Sequence, residues 1–178
     1  MIRLPLETER LLVRPFEPER DAEPLFELWG DEEAMRFVRP ASASAEEVRE
    51  RLEQILEWNR SGWGLWALDE REGARLAGTV GLFPLAREGP EIELAYHVVP
   101  SLWGCGYATE AGAALLEAAW RETDLDHVVA IAFPENHASI RVMEKLGMTH
   151  EGLARYMDHN FVRYSIPRPR DLDHKAAS

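Results

Sequence analysis

Pro100-Ser-Leu-Trp-Gly-Cys-Gly-Tyr-Ala-Thr-Glu-Ala111 is the stretch whose reading decides the fold. It joins a strand-like run, Glu91 to Val99, to a segment of helical spacing that continues to about Glu122, and two glycines let the backbone turn tightly between them. Such a loop aims free N–H groups outward at the positive end of a helix dipole, a setting that suits a phosphate. A glycine-rich strand-to-helix connection can also be no more than a turn. Two rival phosphate loops fail outright: the Walker loop needs Gly-Lys-Ser/Thr, and the dinucleotide fingerprint needs a third Gly or Ala where Thr109 stands. The dinucleotide reading also wants parallel βαβ units from the start of the chain, whereas this loop comes late.

Working outward, Trp63 to Leu68, Arg75 to Phe83 and Glu91 to Val99 read as a strand meander, with a turn at Asp69 to Gly73. Earlier, Arg10 to Arg14 is a first strand stopped by Pro15. Asp21 to Arg36 keeps helical spacing, with Gly30 placed to split it. Ser44 and Glu47 make a capping box ahead of a helix that carries Val48, Leu52, Ile55 and Leu56 on one face. Downstream, His127 to Phe133 is apolar enough for a strand buried on both faces, and a helix from about Ala138 ends at Gly147. Strands near Thr149 to Tyr156 and Phe161 to Ile166 close the order. The layout is mixed α+β, with six to seven mostly antiparallel strands flanked by about four helices. It implies one domain over residues 1–166 and a loose polar tail over 167–178.

The 178 residues suffice for a substantial core without metal or disulfide support. A formal net charge of −12 argues against nucleic acid as a partner, and no apolar run is long enough to cross a bilayer. The opening residues lack a signal-peptide core, and the single Cys105 cannot form an internal disulfide, so a cytoplasmic location is expected. The six histidines show no zinc-like spacing and no cysteine partner, so no metal is expected.

The loop resembles the acetyl-CoA pyrophosphate loop of the GNAT superfamily, Arg/Gln-x-x-Gly-x-Gly/Ala. Gly106 and Ala108 match, while Trp103 replaces Arg/Gln. That replacement resembles one branch, the acetyltransferases of ribosomal-protein N-termini, with Trp-Gly-x-Gly-Tyr-Ala-x-Glu-Ala. Three further stretches match the branch in order: Thr8-Glu-Arg-Leu-Leu-Val-Arg-Pro15, Gly78-Thr-Val-Gly-Leu82, and Asn136-x-x-Ser139 leading to Glu144-Lys-Leu-Gly147 and Glu151-Gly152.

The resemblance implies the GNAT, or acyl-CoA N-acyltransferase, fold, with acetyl-CoA as co-substrate. It places the pyrophosphate on backbone amides of Gly104, Cys105, Gly106, Tyr107, Ala108 and Thr109, and runs the pantetheine along Tyr96, Val98 and Val99 with Asn136 beside it. It also implies that N–H groups near Val98 are free for the thioester carbonyl. Acetyl transfer needs a neutral amine, donors for the developing oxyanion and a proton for the leaving thiolate. Glu93 stands where the branch tends to keep a carboxylate, and alternation puts it on one strand face with Ala95 and His97. Glu91 shares that face and competes, and a solvent-facing role for Glu93 is the plain alternative. Many members supply the proton from a tyrosine, but Met143 stands at its position; in this branch Ser139 takes that place, and it is equally suited to helix capping with Asn136. A covalent route through Cys105 lacks a nearby base.

The implied activity is acetyl transfer to a primary amine, foremost a protein N-terminus such as that of a ribosomal protein. A small-molecule amine and a non-catalytic acetyl-CoA-binding module remain the alternatives. An exposed strand near the C-terminus could pair in a homodimer.

Overall fold

The computed structural model describes residues 2–87 and 89–170, with the side chain of residue 87 left aside. The elements follow one another as β1 (Leu6–Glu7), β2 (Leu11–Arg14), α1 (Pro18–Trp29), α2 (Glu32–Met35), α3 (Ala45–Asn59), β3 (Gly64–Glu70), β4 (Leu76–Pro84), β5 (Ile92–Val98), α4 (Tyr107–Glu122), β6 (His127–Ala132), α5 (His137–Lys145), β7 (Thr149–Tyr156) and β8 (His159–Pro167). Among the described residues one sheet of eight strands forms in the order β1-β2-β3-β4-β5-β6-β8-β7. Every neighbouring pair is antiparallel except β5 and β6.

The α+β class expected from sequence holds, with two corrections. The strand beyond the expected six to seven is β1, two residues whose pairing with Leu12 and Val13 leaves no alternation to read. Among the described residues the helices number five against about four expected, because the split that Gly30 allows does occur and Asp31 then caps α2 by accepting the Ala34 N–H. Elsewhere local signals act as read. Ser44 caps α3 through the Glu47 N–H, and the Glu47 carboxylate reaches back to the Ala43 N–H. Gly147 adopts φ 78° after α5, and the Met148 N–H closes the turn on the Met143 carbonyl. Of the tail, Arg168 donates its N–H to Asp126 O and its guanidinium to Thr123 O, while 171–178 lie outside the described residues.

The sheet separates two apolar layers. On one side α4 packs Ala111, Leu115, Leu116 and Ala119 against Val80, Leu82, Leu94 and Val128. On the other, Leu25, Leu28 and Trp29 of α1 and Val48 and Leu52 of α3 cover Leu65, Ala67 and Leu76. A third cluster, Ala130, Ala132, Met143, Met148 and Tyr164, serves the β6-β8-β7 end with α5. Full burial of a large apolar side chain is worth roughly 1.5–3 kcal/mol. The sequence layout therefore puts most of its driving force into the layers that hold β5 centrally. On the α1 side of the sheet Arg14 is buried with Asp21 and Asp69, donating to both at 2.7 Å; burial works against its charge, but these carboxylates outweigh it and hold its proton more tightly than usual. Three buried charges are tolerable here because each is satisfied by the others.

Candidate active site

A cleft of about 1550 Å³ opens where β5 and β6 part. The two strands share a single rung, Glu93 opposite Val129. Because the Val99 N–H donates to Ala77 O, the antiparallel register with β4 turns the N–H groups of odd-numbered β5 residues toward β4 and those of Tyr96 and Val98 toward β6. Past the rung β6 supplies no partner, so these two N–H groups border the cleft, a ready place for a carbonyl oxygen. β4 can follow β5 this closely because Gly78, at φ 156°, lacks a Cβ that would lie 2.0 Å from the His97 carbonyl oxygen.

After β5 the loop enters α4 through Gly104 (φ 81°) and Gly106 (φ 84°). A Cβ at Gly106 would meet nothing closer than Arg10 at 3.7 Å, so the left-handed backbone, not space, is what calls for glycine there. Gly106 caps α4 without a side chain, which leaves the first-turn N–H groups of Tyr107, Ala108 and Thr109 open toward the cleft. Cys105 is exposed and does not line the cleft; its carbonyl accepts a hydrogen bond from Arg10. Arg10 and Thr8 also grip Glu110 in the first turn of α4: the Arg10 N–H donates at 2.9 Å, its Nε at 2.7 Å, and the Thr8 hydroxyl donates as well. Burial pushes the Glu110 carboxyl up, but the hydrogen bonds from Thr8 and Arg10 outweigh it and hold it below its ordinary value. The opening Thr8-Glu-Arg10 is thus a brace on the loop, a contact across the sheet that spacing could not reveal.

On the wall formed by α5, Asn136 caps the helix by accepting the Ser139 N–H at 3.1 Å. Tyr96 reaches across from β5, its hydroxyl 3.0 Å from Ser139 Oγ and donating to the Ser139 carbonyl oxygen. Burial pushes this phenol up to about 12. Met143, where a tyrosine is common, is fully buried in the cluster under α5 and faces no cleft. Val99 is not brought to the site: its N–H is spent on Ala77, and its side chain packs with α1 and α3.

The opposite face of β5 carries Glu93, Ala95 and His97 into the cleft beside Phe83 and the segment after α2. Burial raises the Glu93 carboxyl to about 7, partly opposed by the Ala86 N–H it accepts. Glu91 differs in kind. Arg163 grips both of its oxygens at 2.6 and 2.8 Å, and with His127 at 3.0 Å this outweighs burial and holds it near 2, a carboxylate with little appetite for a proton. His97 touches Thr79 Oγ1 at 3.2 Å, and burial followed by the nearby Arg39 charge pulls it down to about 4, so it is neutral at pH 7. Phe133, Phe161, His159 and Phe37 form an aromatic group at the mouth, with Phe133 and Phe161 centroids 4.5 Å apart. Among the described residues no group of three or more His, Cys, Asp or Glu is placed to hold a metal, and no helix is long and apolar enough to cross a membrane.

The profile of a family described as Acetyltransferase (GNAT) domain matches residues 10–149. The N-acetyltransferase YoaA of Bacillus subtilis, itself uncharacterized, is 29% identical across 93% of this chain and 98% of its own. YdaF of the same bacterium, provisionally named a ribosomal N-acetyltransferase, is 29% identical across 89% of this chain and 91% of its own. The crystal structure of a GNAT-family acetyltransferase from Bacillus anthracis superposes with a TM-score of 0.80 at 25% identity, covering 93% of this chain and 99% of that one.

Proposed function

We propose, on the premise that this chain belongs to the GNAT acetyltransferase family, that it transfers an acetyl group from acetyl-CoA to a protein N-terminal amine by direct attack, with Glu93 as general base. The co-substrate supplies the activated acetyl group as a thioester. The residues present fit it: the open N–H groups at Tyr107 to Thr109 suit a pyrophosphate, and the N–H groups of Tyr96 and Val98 on the edge of β5, whose Val98 carbonyl already accepts the Trp103 indole N–H at 2.7 Å, suit a pantetheine arm.

In this reading the Val98 N–H donates to the thioester carbonyl oxygen as negative charge gathers on it. Glu93, directly or through a water, takes the proton that the amine nitrogen sheds as the N–C bond forms and the C–S bond breaks. Ser139 Oγ passes a proton to the thiolate and regains one from solvent, to which Glu93 releases the amine proton, so the cycle closes. The observation that carries the reading is the contrast along one strand: Glu93 faces the cleft with a carboxyl near 7, while Glu91 is locked to Arg163. A base near the working pH is the efficient one. An α-amino group, at about 7.7–8.0, is already partly neutral and asks little of such a base, whereas a lysine at about 10.4 asks more. The match to the N-terminal-acetylating branch and the name of YdaF favour a protein N-terminus over a small amine.

Thiol release from acetyl-CoA, measured against peptides with free α-amines, polyamines and amino acids, tests the proposal. Turnover confined to peptides is the expected result. Turnover confined to small amines would replace the acceptor, and none with any amine would leave a binding module.

A further inference from the structure

The segment after α2 holds a cation, Arg39, that makes no ion pair among the described residues. Arg39 lines the cleft, half-buried, with both terminal nitrogens 3.2 Å from Ser42 Oγ, one of them also 3.0 Å from Pro40 O, and its guanidinium stacked 5.0 Å over the Trp29 ring. Arg10, Arg14, Arg49 and Arg163 all hold carboxylates, but Arg39 makes no ion pair among the described residues. Glu47, whose charge reaches it, is committed to the Ala43 N–H and to Arg51. Burial, with Arg51 second, lowers the Arg39 guanidinium to about 10. A partly desolvated guanidinium is stabilised by a charge-assisted, bidentate partner, and a carboxylate is the natural one.

That partner belongs to the acceptor and not the donor. Arg39 acts on His97, on the Glu93 face of β5, whereas the α4 loop and Ser139 meet the other face, where Leu94 packs on α4 and Tyr96 reaches Ser139. Glu93 and His97 are four residues apart on a strand, about 13 Å. A free amino acid, with amine and carboxylate on one carbon, is far shorter than that separation along the strand. An extended peptide advances about 3.3–3.6 Å per residue, so a side-chain carboxylate at its second, third or fourth residue can.

We propose that Arg39 binds an acidic side chain of the acceptor, and that the preferred acceptors are peptides carrying Asp or Glu within the first four residues. This rests on the peptide reading above.

The test uses the full chain with acetyl-CoA and peptides of one sequence bearing Glu or Gln at position 2, 3 or 4. Wild type should show kcat/KM about tenfold higher for Glu than for Gln at one of these positions, the difference lying in KM. Arg39→Gln should bring that ratio to about one. Arg39→Lys, which keeps the charge without the fork, should cut it only in part, and it keeps the test valid should the glutamine variant fail to fold. Equal rates for Glu and Gln peptides in wild type, or an undiminished preference in Arg39→Gln, would overturn the inference alone. Acetylation of small amines but of no peptide would overturn the peptide reading and this inference with it.

Discussion

The Tyr96 hydroxyl stands 3.0 Å from Ser139 Oγ and 3.0 Å from the Ser139 carbonyl oxygen, so one phenol fastens the first turn of α5 to the free edge of β5. If Tyr96 gives its proton to the carbonyl, it can only accept from Ser139 Oγ, which orients the serine. Ser139→Ala should lower thiol-release kcat by about 10²-fold or more if the serine is the acid. Tyr96→Phe should cost less in kcat and about 1 kcal/mol in stability, seen by thermal melting. Wild-type kcat in Ser139→Ala would confine Ser139 to capping.

Glu93 titrates where it can be watched. With its carboxyl raised from 4.5 to about 7 by burial, kcat should climb as pH rises through about 7 as the base becomes free. Glu93→Gln should flatten that limb and depress kcat, with acetyl-CoA affinity little changed. Stability runs the opposite way. The raised value favours the folded chain fully below about 4.5, and this contribution is lost as pH climbs through about 7. Glu93→Gln should therefore stabilise at pH 8 by about 1–3 kcal/mol relative to pH 4, read by denaturant unfolding at both.

Gly106 supplies φ 84° at the N-cap of α4. Gly106→Val, which cannot hold that angle without strain, should abolish the rise in melting temperature that acetyl-CoA gives wild type. An undiminished rise would remove the loop from the donor site.

Arg10 is positioned to act through the loop and not on the substrate. Arg10→Ala unties Glu110 and the Cys105 carbonyl together, and should raise KM for acetyl-CoA several-fold while leaving the amine KM nearly unmoved. A matched change in both constants would point to general unfolding instead.

Features written in neighbouring residues are legible in the sequence. Ser44 with Glu47, Gly147 after its helix, and the two loop glycines each announce a local conformation through their own chemistry. Relationships across the sheet are not. Thr8 meets Glu110 at a distance of 102 residues, and Arg14 meets Asp69 at 55, with no periodicity to link them. Within the site, alternation placed Glu93 and His97 together, but it could not separate Glu93 from Glu91, because the deciding partner, Arg163, arrives from β8. Val99 was expected beside the pantetheine, yet β5 ends one residue before it and Ala77 takes its N–H. Arg39 carried no signal at all, since the absence of an ion pair to it among the described residues is a property of three dimensions.

The single rung between Glu93 and Val129 makes the β5–β6 seam the least paired line in the sheet among the described residues. On its far side β6, β8, β7 and α5 share a small core that joins the α4 layer chiefly through Val128, so that end can loosen as a cooperative unit before the rest. Anything that bonds both lips of the seam fastens two foldons as well as filling a cleft, and its loss after each turnover releases them. Amide exchange on β6 and β8 would then keep time with catalysis.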